Sequence, residues 1–377
     1  VDVDQSNDGS TTASEAIIAE QAETVVTSAF AQANSATGLI TNWTGVTGQQ
    51  VLTGSADATS SVAIDNAWSY VTSNASAQGN ALTVRGEAGA TLDMTQTAGA
   101  GARTGALSDL RISSYAGHTV QGASATMNAV EVSTYGDRDV TLSQNSAGTT
   151  EAVARLDAGN AEIETVAQGV TATGNSALVT GGGFAPVEVD QTQSGDVTAE
   201  ASATVGTADY GAVSASQAAG NTATLFNDYG YGETRGSQTN SGAVRAVTNL
   251  DLGTYNNGLA VGSANAVGNS ALTSVIGADA YSGVAQTNTG TVSALVNFNG
   301  GAGGGLGTAL SASAMGNAQS AYICSECPVS LGGNFSQVNS GAVTSQVTGN
   351  HAGFVGAITS TSSAIGNAAT FSTRSGG

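Results

Sequence analysis

Two kinds of residue in this chain are spaced as though chemistry depended on them: a pair of thiols and two series of side-chain amides. Cys324 and Cys327 form a Cys-x-x-Cys, the spacing of a redox dithiol or of half a zinc site. Zinc would need two further thiolate or imidazole ligands. The chain has no other cysteine and only two histidines, His118 and His351. A redox dithiol needs a helix start to lower a thiol pKa, which a strand-rich frame does not supply. The pair sits in the longest interval between a marker asparagine and the next glutamine, 20 residues from Asn317 to Gln337. A disulfide pinning an enlarged loop in an oxidising exterior is therefore expected, with free thiols the alternative.

The amides are the stronger signal. A glutamine followed closely by glycine recurs as Gln5, Gln50, Gln96, Gln144, Gln191, Gln238, Gln286 and Gln337, at steps of 45 to 51 residues. In parallel run Asn34, Asn80, Asn128, Asn175, Asn221, Asn269, Asn317 and Asn367, each 29 to 32 residues after its glutamine. An alanine stands three residues before every one of these asparagines. Each amide carries a donor and an acceptor on one flat group. Strands stack about 4.8 Å apart, so stacked copies of one amide can bond one another as a ladder. The alternative is that these are only turn residues in a soluble array. The small alanine suits two sheets in close contact, and the neighbouring glycine suits a corner with φ > 0.

Catalytic chemistry finds no such support. The two histidines hold non-equivalent places and read as surface residues on coil loops. The acids are scattered through loops without the repeated pair a glycosidase uses, and the nonapeptide of calcium-binding rolls is missing. No catalytic, cofactor-binding or metal-binding residue is expected, and the chain reads as not an enzyme. Trp43, Trp68, Tyr229, Tyr231 and Tyr255 lie near turns and are candidate sugar contacts, but they do not recur from unit to unit.

Composition narrows the partners. There is no lysine, and 8 arginines face 28 acids, giving a net charge of −20. Such a chain repels nucleic acid and anionic membranes. No apolar run reaches the length of a transmembrane helix. The acidic opening Val1-Asp2-Val3-Asp4 is no signal peptide, and the repeat frame starts at once at Gln5. Residue 1 is thus expected to be a mature N-terminus left by signal-peptide removal, with the protein extracellular or on the outer cell surface.

The elements that must position these amides follow from their phase. A fixed period of this size marks a solenoid. Each unit reads as strand, glutamine turn, strand, loop, strand, Gly-Asn turn, strand, with period-two alternation in stretches such as Ala243–Val247. The expected architecture is all-β, a single β-solenoid over 1–377 with units 1–49, 50–95, 96–143, 144–190, 191–237, 238–285, 286–336 and 337–377. Ser14–Asn34 could also be drawn as an amphipathic helix, but phase assigns it to strands.

The Gln-x-Asn-x-Gly and Ala-x-Gly-Asn-x-Ala signatures resemble those of curlin-type repeats, most clearly at Ala218–Ala223 and Ala266–Ala271. Curlin units are roughly half as long, and four strand-turn segments per unit fit two windings. Two narrow coils per unit and a rod of about 77 Å are therefore expected, with one wide coil and about 38 Å the alternative. The pattern also resembles the holdfast-anchor proteins of stalked bacteria. These resemblances imply an extracellular structural protein, either a self-assembling fibre subunit or a cell-surface anchor in biofilm or holdfast adhesion. Its partners would be itself, head to tail, related surface fibre or anchor proteins, and extracellular polysaccharide. The absence of a polar capping segment points the same way. So does the charge: residues 1–84 hold eight acids and no base, whereas 280–377 hold Glu326 and Arg374 alone. The rival reading is a monomeric carbohydrate-binding adhesin solenoid.

Overall fold

Alternation of small apolar with polar residues runs through nearly every segment, and the chain answers it with strands. The computed structural model describes residues 1–303, 305–325 and 329–375, and every regular element in it is a β-strand. Ser14–Asn34 lies within the strand Ser10–Ile40. All pairing between strands is parallel and joins each residue to its counterpart one repeat later, as in Gln5 with Gln50, Gln50 with Gln96 and Asn221 with Asn269. The architecture is a β-solenoid.

One repeat is therefore one wide coil, and the expectation of two narrow coils is corrected. The two halves of a repeat do not stack; they face each other across the interior. In the sixth repeat a base strand, Gly232–Asn240, and an outbound strand, Val244–Tyr255, form one layer. A return strand, Leu259–Ile276, forms the other. In the first four coils the outbound and return segments are one continuous strand, such as Ser55–Gly86 and Arg103–Thr134. Eight coils at about 4.8 Å each make a rod of about 38 Å, half the length that two coils per unit would give.

The interior divides in two. Outbound and return segments bury one core, which includes Leu110, Leu156, Val244, Leu250 and Val296. The base strands and the end of the return strands bury a second, which includes Leu82, Leu92, Val140, Val187 and Leu225. The marker residues lie between these cores. Along the return strand the inward side chains are Ala264 and Ala266, then Asn269, Ala271 and Val275. Parity changes at Gly268–Asn269, so the strand swings there without ending.

The layers approach closely at the alanine column. From Ala31 through Ala314 its members are 0–2 % exposed. The marker glycine is needed for the same reason, not for a left-handed backbone. Positive φ occurs at Gly48, Gly181, Gly183, Gly211, Gly236, Gly277 and Tyr229 among the described residues, and none is a marker glycine. A methyl group on Gly268 would instead lie 2.5 Å from the Gly316 carbonyl oxygen and 2.8 Å from Asn288 Oδ1. Contact with the next coil is what excludes a side chain.

Candidate functional site

The amides occupy the seam between the two cores, where two buried layers must satisfy polar groups without water. From Gln50 onward, each glutamine donates from Nε2 to Oε1 of the glutamine one coil earlier, at 2.6–2.8 Å through all seven steps to Gln337. The same Nε2, in Gln5 as well, also donates across the interior to the carbonyl just after the marker asparagine. Examples are Gln5 to Ser35, Gln191 to Thr222 and Gln337 to Ala368, at 2.7, 2.7 and 2.9 Å.

The asparagines run the other way. Asn34 donates to Asn80 Oδ1, and the relay continues forward through Asn128, Asn175, Asn221, Asn269 and Asn317 to Asn367, at 2.7–2.8 Å. Each donor's second hydrogen reaches the carbonyl just after the glutamine of the next coil, as in Asn221 to Thr239 and Asn269 to Thr287, both 2.9 Å. Each of the first seven coils is thus clamped across its layers twice. One clamp lies within the coil and the other reaches its successor, and the two ladders have opposite polarity.

A third ladder escaped sequence reasoning. Asn240 donates to Asn288, and Asn288 to Asn339, both at 2.7 Å. Each of the three also bonds the glycine carbonyl two residues on, at 3.0–3.1 Å. Earlier coils place Leu52, Ala98, Ser146 and Gln193 at this position, so no full-length phase announces it. Its signal was the middle asparagine of Gln-x-Asn-x-Gly. Equally unannounced is a zigzag of buried hydroxyls, Thr27–Ser60–Ser73–Ser108, at 2.6, 2.9 and 2.8 Å.

Arg138, 1 % exposed, is the one buried cation among the described residues. It stands where Ala90 does in the coil before. Its Nη1 donates to the carbonyls of Thr134 and Gly182 at 3.1 and 2.8 Å, and Nη2 donates to Asn227 Oδ1 at 2.6 Å. Burial lowers its pKa to about 10, against the opposing pull of Asp137 and Asp228, so it is protonated at neutral pH.

The remaining candidates scatter. His118 and His351 both lie in strands rather than loops. His118 stacks on Tyr70 with centroids 4.9 Å apart, and its Nδ1 is 2.8 Å from Thr165 Oγ1. His351 packs on Phe298, in a coil far from His118. Trp43, Trp68 and Tyr229 are exposed, and Trp68 lies 5.9 Å from Tyr115. Tyr231 stacks on Phe184. Tyr255 is withdrawn from the sugar-contact candidates because it is 2 % exposed and bonds Thr308 inside the core. Cys324 is exposed at the end of a return strand; Cys327, and with it the expected disulfide, lies outside the described residues. The acids project largely from outward strand positions rather than loops.

Glu162 and Asp209 form a carboxylate pair on neighbouring coils. A side-chain hydrogen bond with Asp209, and then its charge, hold the Glu162 carboxyl above its ordinary range. A raised acid pKa contributes stability below the unfolded value and loses it as pH rises through the folded value. Glu162→Gln is therefore expected to melt above the parent at neutral pH and level with it below the ordinary glutamate range. Parallel thermal melts at the two pH values would reveal any other pattern.

No helix among the described residues is long and apolar enough to cross a membrane, and no group of three or more His, Cys, Asp or Glu among them is placed to hold a metal ion. No curated protein and no solved structure matches the chain. The family model described as holdfast attachment protein D matches residues 19–291.

Proposed function

The chain belongs to the holdfast attachment protein D family, and from that premise we propose that it is a structural subunit whose coils stack head to tail into a fibre or surface anchor. Family membership itself carries a role in holdfast adhesion at the cell surface or outside it. The finer reading draws its support from ladder polarity. Gln337 uses both Nε2 hydrogens inside the rod, so its Oε1 is the acceptor for a further rung. Asn34 likewise commits both Nδ2 hydrogens inward, leaving Oδ1 as the acceptor at the opposite face. The edge of the eighth coil thus offers a glutamine oxygen and an asparagine N–H. The edge of the first offers a glutamine N–H and an asparagine oxygen. Only head-to-tail contact continues both ladders, and a heterologous contact that does not close makes a filament. The nearly uncharged last coils meeting the acidic first coils also avoids acid against acid.

One residue regulates this contact in the proposal. Glu15 takes the inward place that Ser60 and Ser108 hold in the next two coils, and its Oε2 accepts the Ser28 backbone N–H at 2.8 Å. A coil stacked on the first would bury that carboxylate, which is costly while it is charged. Glu15→Gln is expected to assemble faster at neutral pH. Gln337→Leu/Asn367→Leu is expected to lose fibres while keeping the parent's melting temperature. Electron microscopy and fibre diffraction, with a reflection near 4.8 Å along the axis, read both results. Unchanged fibres from the double variant would sink the stacking account.

The carbohydrate-binding reading retains one observation in its favour, exposed Trp68 and Tyr70 with half-buried Tyr115 beside His118. Extracellular polysaccharide is the partner it proposes. Trp68→Ala/Tyr70→Ala would then lose retention on immobilised holdfast polysaccharide without a change in assembly, and undiminished retention would dismiss it.

A further inference from the structure

The charges are not spread evenly round the rod. Four outward positions per coil make up the part of the return face that precedes the Gly-Asn bend, 26, 28, 30 and 32 in the first coil through to 359, 361, 363 and 365 in the eighth; beyond the bend the same strands turn Arg85, Glu131 and Asp228 outward. None of the four positions, across all eight coils, is Asp, Glu, Arg or Lys. They hold Ser, Thr, Ala, Gly, Val and amides, with Phe30, Met315 and Ile365 as the larger apolar members, and none is buried. The opposite layer differs. The outbound strands present Asp57, Arg155 and Asp251 outward, and the base strands present Asp4, Asp93 and Glu188.

This face also exposes apolar side chains in one line along the rod. Val26, Val120 and Val213 belong to a single rank, register-matched from coil to coil, and are 61, 42 and 47 % exposed. Three two-residue steps at about 3.3 Å per residue make the face about 20 Å wide, and seven rungs make it about 34 Å long. Two such faces in contact would bury roughly 1,400 Å², inside the range of specific protein–protein interfaces. Small side chains on a flat parallel sheet let a second sheet approach to the usual spacing of about 10 Å.

We propose that the uncharged part of the return face binds the same part of a second copy, so that rods pair side by side. Charge selects both the occupant and the face. In a chain of net charge −20, contact through either strand group of the opposite layer would set carboxylates against carboxylates, whereas this part of the return face brings none. Pairing about a two-fold axis uses one self-complementary surface and is independent of the end-to-end stacking proposed above.

The test compares two double variants of the full chain. Ala167→Glu/Val213→Glu places carboxylates on the valine rank of the return face in the fourth and fifth coils, and Thr198→Glu/Ser202→Glu adds the same charge to the outbound face. Mass per unit length from scanning transmission electron microscopy is expected to show two chains abreast for the parent and the outbound variant. The return-face variant should show half that value, with its melting temperature unchanged. If end-to-end stacking fails but pairing holds, the parent sediments as a discrete two-chain particle and the return-face variant as a monomer. Single-width parent rods, or equal loss in both variants, would overturn the proposal. It would equally be overturned by an unpaired parent retained on a neutral β-glucan through this face, since the occupant would then be a sugar.

Discussion

Asn221→Leu is expected to destabilise the protein by about 3–6 kcal/mol, whereas Asn34→Leu should cost less. In the fifth coil Asn221 donates to Thr239 O and Asn269 Oδ1 and accepts from Asn175. Leucine fills much of the same space but leaves all three partners short of a bond in a place with no water. Each buried unmet group costs about 1–3 kcal/mol, and total stabilities are only about 5–15 kcal/mol. Asn34 accepts from no asparagine within the chain, so its loss leaves two partners unmet, Val51 O and Asn80 Oδ1, against three for Asn221. Within the chain its coil also has a neighbour on one side only. Chemical denaturation of both variants measures the contrast. Equal and small losses would reduce the asparagines to turn residues.

The phase of the repeat was legible because it is imposed by stacking. A ladder amide tolerates no substitute in mid-array, so Gln191 and Asn221 stay visible while the positions around them vary. Direction was not legible. Nothing in a glutamine's spacing says that it donates backward while its asparagine donates forward; that depends on which carbonyl lies opposite each amide. Coil width was misread for a related reason. The curlin resemblance rests on short motifs, and Ala-x-Gly-Asn-x-Ala marks a bend within one strand as readily as a turn between two. Only the pairing of Gln238 with Gln286 and its cross-layer bond to Ser270 distinguish one wide coil from two narrow ones.

Residues that occur once leave no periodic trace. The hydroxyl zigzag from Thr27 to Ser108 uses serines indistinguishable by type from those on the surface. Tyr255 stands in a turn-rich stretch and reads as exposed, yet its ring meets Phe298 edge-on inside the core. In both cases the deciding fact is parity, and the breaks between outbound and return segments, such as those at Ala22/Thr24 and Ala67/Tyr70, carry no sequence marker, unlike the Gly-Asn bend.

Arg138 was the least legible of all, since a lone arginine in an acidic chain reads as a surface counter-ion. Its substitution is the second change with a large expected effect. Arg138→Met should lose about 2–4 kcal/mol and Arg138→Ala more. Methionine retains most of the volume, but Thr134 O, Gly182 O and Asn227 Oδ1 lose their donor, at about 1–3 kcal/mol for each group left unmet. The gain from no longer burying a cation offsets part of this, and Nε, which has no partner in the fold, loses nothing. Alanine adds a cavity at the corner where the third, fourth and fifth coils meet. Arg138→Lys should resemble methionine rather than the parent, because an ammonium lacks the planar fork that reaches acceptors on three coils at once. Denaturant titration of the three variants orders these effects. If Arg138→Met proved as stable as the parent or more so, the desolvation of the guanidinium would outweigh its hydrogen bonds. The residue would then be a tolerated defect in the array rather than the pin that holds three coils together.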